Sequence, residues 1–223
     1  MKRMRTLGLC LAAVFALVAI TATGASAKEP KKKNLTLSTA AGALKAGSAI
    51  SEFSSNLIFE TSAGNLECEE NELAGSLTNN DAKKVDGTIT SETSQGNFMS
   101  IPGACKTSAT GPVLIQSSDL PWKAVFTPKK TGEVKGGPKV IFTSTFLALE
   151  GPNNKCTFEA TKVKDTMNVS VEKEPVTVTT TKQTFKHAKK AKEQTSLCPT
   201  SGVLSGTFTG KSGGETLESQ LTV

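Results

Sequence analysis

Apolar and polar residues alternate with period two along much of the chain. At 217–223, Leu217, Ser219, Leu221 and Val223 alternate with Glu218, Gln220 and Thr222; at 176–181, Val176 and Val178 alternate with Thr177, Thr179 and Thr181. Alternation with β-branched residues predicts half-buried antiparallel strands. Lys139 to Leu149 breaks the rhythm, because Val140, Ile141, Phe142, Phe146, Leu147 and Leu149 fall on both faces. That run predicts a strand covered on each side, or one that crosses between sheets. Gly136-Gly137-Pro138 and Gly151-Pro152-Asn153-Asn154 bracket it as turns. Gly210-Lys211-Ser212-Gly213-Gly214 predicts a C-terminal hairpin with a longer loop. Helical signals are poor: Lys186 to Gln194 has helix formers, but only Ala188 and Ala191 could hold it to a core. The predicted fold is all-β, an antiparallel β-sandwich.

One strand pattern recurs. Leu73-Ala-Gly-Ser-Leu-Thr78, Val85-Asp-Gly-Thr-Ile-Thr90 and Leu204-Ser-Gly-Thr-Phe-Thr209 all read apolar-x-Gly-Ser/Thr-apolar-Thr. Period two turns each glycine inward with its large neighbours, so another side chain must cover the bare backbone. A Phe from a facing sheet (Phe59, Phe126, Phe142 or Phe158) is the expected cover. The recurrence also suggests two related halves, 34–117 and 118–223, within an all-β domain spanning 34–223.

The N-terminus follows a different logic. Lys2, Arg3 and Arg5 precede an apolar run from Leu7 to Ile20, and Ala25-Ser-Ala27 follows with small residues. These are the three parts of a secretory signal peptide, 1–27, cleaved after Ala27. The apolar run is shorter than the roughly 20 residues of a membrane-spanning helix. Residues 28–33 (KEPKKK) read as a flexible basic tail. The stretches Ser55 to Thr78 and Asp119-Leu-Pro-Trp122 resemble uncharacterised exported β-rich proteins of actinobacteria. The resemblance implies export and a disulfide-containing β fold, and it brings no known activity.

Export changes the reading of the cysteines. Beyond Cys10 in the leader there are Cys68, Cys105, Cys156 and Cys198, an even set without the C-x-x-C spacing of a metal or redox site. Sequential pairing, Cys68 with Cys105 and Cys156 with Cys198, puts one staple in each half. The chain carries 26 Lys+Arg against 20 Asp+Glu, and loss of the leader takes three positive charges, from +6 to +3. No arginine follows Arg5, and there is no Tyr, one Trp and one His. A His-based metal centre and a bidentate Arg clamp are therefore excluded, and any catalytic triad must use His187.

The remaining polar features are weak as chemistry. His187 lies in Lys186-His-Ala-Lys-Lys-Ala-Lys192 and reads as a solvated loop histidine. Glu67, Glu69, Glu70 and Glu72 could supply the carboxylate pair of a glycosidase, but Glu67 and Glu69 should face outward if Leu66 and Cys68 face in. Asn79-Asn-Asp81 offers oxygen ligands for calcium and is also ordinary turn sequence. Trp122 is expected to be buried against a disulfide. The lysines at 129–130 and at Lys186, Lys189, Lys190 and Lys192 could attract polyanions, yet without Arg and aromatics they do not suit specific nucleic-acid recognition.

The expectation is a secreted, non-catalytic protein of the cell envelope or exterior, without cofactor or metal, acting through surface contacts or structurally. Its partner would be an anionic cell-wall polymer or another surface protein. The alternatives are a Lys-mediated binder of wall polymers and a secreted hydrolase whose carboxylates meet only in the fold. An enzyme predicts a deep pocket with converging acids or His187; a binding module predicts a shallow sheet face or loop rim.

Overall fold

The computed structural model describes residues 34–222, apart from 82, 109–110, 129–130, 136–139, 148–152 and 189–196. Its longer strands, in chain order, are β1 (Asn34–Thr39), β2 (Ala49–Ser54), β3 (Ile58–Thr61), β4 (Gly64–Glu67), β5 (Glu70–Asp81), β6 (Lys84–Gln95), β7 (Val113–Ser118), β8 (Trp122–Phe126), β9 (Thr131–Lys135), β10 (Val140–Phe146), β11 (Asn154–Ala160), β12 (Val163–Met167), β13 (Thr177–His187), β14 (Ser201–Ser212) and β15 (Glu218–Thr222). Every pairing among them is antiparallel, and the described residues contain no helix. The fold is all-β, as the alternation predicts.

The layers are joined at their edges. Pairing runs β14–β2–β5–β6–β8–β9–β12–β13 and returns to β14, a closed circuit of eight strands. A second circuit runs β14–β3–β4, through Lys106 and Thr107 and the Cys105–Val113 bridge, to β7–β10–β11–β13. Both circuits use the long β13–β14 ribbon. Its register shifts between Thr180 and Gln183, where Lys182 has φ 47° and its amide donates to Ser205 Oγ at 3.0 Å. Below the shift, β13 belongs to the first circuit through β12; above it, to the second through β11. Closing a sheet removes the unpaired edges that an open sandwich must protect.

Strands from both sides of residue 117 build these circuits: β2 and β3 pair with β14, and β6 pairs with β8. At one end β1 pairs with β15, placing Leu35, Leu37 and Leu221 in a core with Leu77, Val85, Phe126, Met167 and Phe208. Asn80 fastens this cover. Its Oδ1 accepts from the Leu37 amide at 2.9 Å, and its Nδ2 donates to the carbonyls of Leu37 (2.9 Å) and Leu44 (2.8 Å). The Asn79–Asp81 segment is thus engaged as a structural clamp: Asp81 Oδ1 accepts from the Lys83 amide in the following turn. A second core gathers Phe59, Phe158 and Phe185 with Val113, Val140 and Cys156. The Phe59 ring stands edge-on to Phe158 at 4.9 Å and to Phe185 at 6.1 Å.

The cysteines pair sequentially, Cys68 with Cys105 and Cys156 with Cys198. Disulfides of this kind belong to oxidising surroundings, so the chain is an extracytoplasmic protein. No helix of the described residues is long and apolar enough to cross a membrane.

Three local expectations need correction. The C-terminal hairpin turns tightly at Gly213-Gly214, with φ of 59° and 85°, because Ser212 pairs directly with Glu215. Positive φ at both central residues is the requirement of the tight hairpin turn, and two glycines meet it without strain. The repeated glycines are also covered differently. Leu57 packs over Gly206, Ile50 over Gly87, and the neighbouring Thr88 backbone presses on Gly75; Phe59 instead covers Gly202, further along β14. Finally, the helix candidate begins as strand, since Lys186 and His187 close β13; the turns at 136–138 and 151–152 and residues 189–196 lie outside the described residues.

Candidate functional site

A cavity of about 110 Å³ lies where the two circuits meet. Its wall is mainly apolar: Phe59 and Leu66 come from the second circuit, Leu57 from the connection between β2 and β3, and Leu73, Ile89, Trp122, Val163, Val178 and Phe208 from the first. A smaller cavity of about 30 Å³ continues toward the β1–β15 cover, lined by Leu77, Val85, Phe126 and Met167. Leu73, Ile89 and Glu52 line both. An eight-stranded closed sheet has an interior suited to side chains or to one small ligand.

Three carboxyl groups enter this apolar space. Glu52 on β2 stands between the two cavities. The residue is half-buried, and the loss of water around its carboxyl pushes that group up to about 7, with the charge of Asp165 adding to the rise. Among the described residues, neither a hydrogen bond nor an ion pair engages its carboxyl. Asp165 on β12 shares an inward face with Val163 and Met167, and all three are buried. Thr180 Oγ1 donates to Asp165 Oδ1 at 2.5 Å, yet burial outweighs that bond and raises the carboxyl to about 6.

Glu92 sits further along β6. Ser117 Oγ donates to its Oε2 at 2.9 Å, and Ser94 Oγ lies 2.5 Å from its Oε1. Ser94 Oγ also donates to Asn71 Oδ1 at 2.9 Å. One hydroxyl hydrogen serves one acceptor fully, so a protonated Glu92 donating to Ser94 frees the Ser94 hydrogen for Asn71, whose buried Nδ2 has no partner among the described residues. Burial raises the Glu92 carboxyl, in agreement with that arrangement. Among the described residues no Lys or His lines either cavity.

Trp122 is buried in the same core as Cys156 and also forms part of the cavity wall, with Nε1 donating to the Ser118 carbonyl at 3.2 Å. Packing and a binding surface therefore coincide in one residue.

The sequence-derived candidates fall elsewhere. Leu66 and Cys68 are buried and Glu69 and Glu70 are exposed, so this acidic cluster faces outward; Glu67 pairs with Lys106 Nζ at 2.9 Å. His187 is not a solvated loop residue. It ends β13 opposite Phe158, its ring 6.4 Å from that phenyl, and its Nε2 is buried without a hydrogen-bond partner among the described residues. Strand pairing with the apolar β11 brings it in, which its lysine neighbours conceal. Among the polyanion candidates Lys186 is exposed on β13; Lys129, Lys130, Lys189, Lys190 and Lys192 lie outside the described residues. The acids that do converge, Glu52, Glu92 and Asp165, escaped the sequence reading.

Comparison with family models, with curated proteins and with solved structures gives no match.

Proposed function

We propose that this is an exported, non-catalytic binding protein that holds a small, largely apolar molecule between its two strand circuits, after removal of a leader at Ala27. The observation that carries the reading is the cavity of about 110 Å³ walled by Leu, Ile, Val, Phe and Trp side chains. Ligand sites of this type combine an apolar wall with a few converging polar groups. Trp122 supplies the assay, being the only tryptophan in a chain without tyrosine. Titrating the mature protein with hexanol and octanol should change its emission in a saturable way. Unchanged emission, with no heat of binding in calorimetry, would overturn the reading.

A secreted hydrolase is the second reading, favoured by the electrostatic pairing of Glu52 with Asp165 inside one pocket. Converging acids were its stated requirement. Sugar substrates need a polar, accessible cleft, whereas this wall is apolar, which favours binding over hydrolysis. Release of nitrophenol from nitrophenyl glycosides or esters, lost in Glu52→Gln, would reverse that preference.

A further inference from the structure

We propose that the ligand is a small amphiphilic amine, its ammonium group held by Glu52 and Asp165 and its hydrocarbon body lying among Leu57, Leu73, Ile89 and Trp122. This rests on the cavity being a ligand site. Three observations lead from the cavity to an organic cation.

The first is the sign of the interior. Facing the space are Glu52 from β2, Glu92 from β6 and Asp165 from β12, and the other surrounding strands add Leu73, Trp122, Thr180 and Phe208. No cation on the described residues lines it. Surface acids gain little from being unpaired and lose little; interior acids without a cation keep a standing desolvation penalty.

The second is that Glu52 has spare bonding capacity. Asp165 is engaged by Thr180, and Glu92 by Ser94 and Ser117. Glu52 lines both cavities, and no donor among the described residues is directed at its carboxyl. An ammonium group brings three donors and a compensating charge. A carboxylate ligand would add a like charge, and an alcohol would leave the charge uncompensated.

The third is placement. Glu52 lies between the apolar walls of the two cavities, so a head group bonded there leaves hydrocarbon room on both sides. The raised carboxyls give the binding a direction with pH. Below about 6 both Glu52 and Asp165 hold protons, and above about 7 both are ionised. Simple alkylamines stay protonated throughout this range, so amine affinity should climb as the carboxyls ionise.

The test compares hexylamine, hexanol and hexanoate, titrated at about pH 5 and about pH 8 against the oxidised mature protein. Trp122 emission and isothermal calorimetry serve as readouts. At the higher pH the amine should bind about tenfold or more tightly than the alcohol, as a charge-assisted bond exceeds a neutral one. That advantage should disappear at the lower pH and in Glu52→Gln. Gln keeps the shape of Glu and removes the carboxylate, and a cooperative urea unfolding transition followed by Trp122 emission shows that the variant is folded. Equal binding of amine and alcohol at the higher pH would overturn the amine inference and leave the cavity as a ligand site. Absence of binding by all three compounds would overturn both.

Discussion

Glu52→Gln should remove most of a pH dependence of stability that the natural protein carries. Enclosure holds the folded Glu52 carboxyl at about 7, against 4.5 for the group in an unfolded chain. Protons therefore bind the folded state more tightly. Stability is fullest below the unfolded value and falls as pH rises through the window from 4.5 to about 7. At about 1.4 kcal/mol per pH unit, the window corresponds to about 3 kcal/mol, a ceiling that water admitted to the cavity would lower. Asp165, raised from 3.8 to about 6, acts with the same sign over a lower window, and the two titrate as a coupled pair. The assay is urea unfolding at about pH 5 and about pH 8, followed by Trp122 emission with the disulfides intact. The natural protein should be less stable at the higher pH. Glu52→Gln should match it at about pH 5 and exceed it by about 2–3 kcal/mol at about pH 8. Natural protein whose stability is level or rising over this interval would refute the argument, as would a variant that keeps the full slope.

Other substitutions test the scaffold. A methyl group at Gly202 would run into the Phe59 ring, which Phe158 and Phe185 hold in place, so Gly202→Ala should cost about 1–3 kcal/mol in urea unfolding. Gly87→Ala meets Ser76 O at 3.4 Å and Ile50 Cδ1 at 3.6 Å, ordinary contacts, and should stay within about 0.5 kcal/mol of the natural protein. Asn80→Ala takes the side-chain partner from the Leu37 amide and the Leu44 carbonyl, while the Leu37 carbonyl keeps the Leu44 amide at 3.0 Å; it should cost about 1–3 kcal/mol and speed hydrogen exchange at Leu37. Replacing Cys156 and Cys198 together by Ser releases a link spanning 42 residues, at about 4 kcal/mol in the chain-entropy account. Peptide mapping under non-reducing conditions should recover Cys68 with Cys105 and Cys156 with Cys198.

Alternation identified strands because burial of one face leaves a period of two in the residues themselves. Leu217, Ser219 and Leu221 are buried as that pattern requires, and so are Val176 and Val178. Closure was harder to read, since period two tells which face is covered and says nothing of which strand lies alongside. Asp165 was legible in principle: Val163-x-Asp165-x-Met167 puts an acid on an apolar face. Glu52 gave a similar but weaker signal, sharing its face with Ile50, while Phe53 on the other face lies under the Lys211 ammonium at 4.9 Å. Glu92 was concealed by a phase change. Val85 and Ile89 point inward, but Gly75 pairs with Ile89 while Ala74 pairs with Ser91, leaving Thr90 as an extra residue. Beyond that bulge the even positions Glu92 and Ser94 face the interior.

The strand that completes both circuits comes late in the chain. Ser201–Ser212 pairs with Ala49–Ser54 and Ile58–Thr61, joining partners as distant as Phe53 and Thr209. A polypeptide emerging from its N-terminus must therefore wait with those earlier strands, and one side of Thr177–His187, unmatched. Molecules truncated before residue 201 would present these borders together, inviting intermolecular strand addition or proteolytic clearance. Assembly quality would then depend on how quickly the final stretch follows the rest across the membrane.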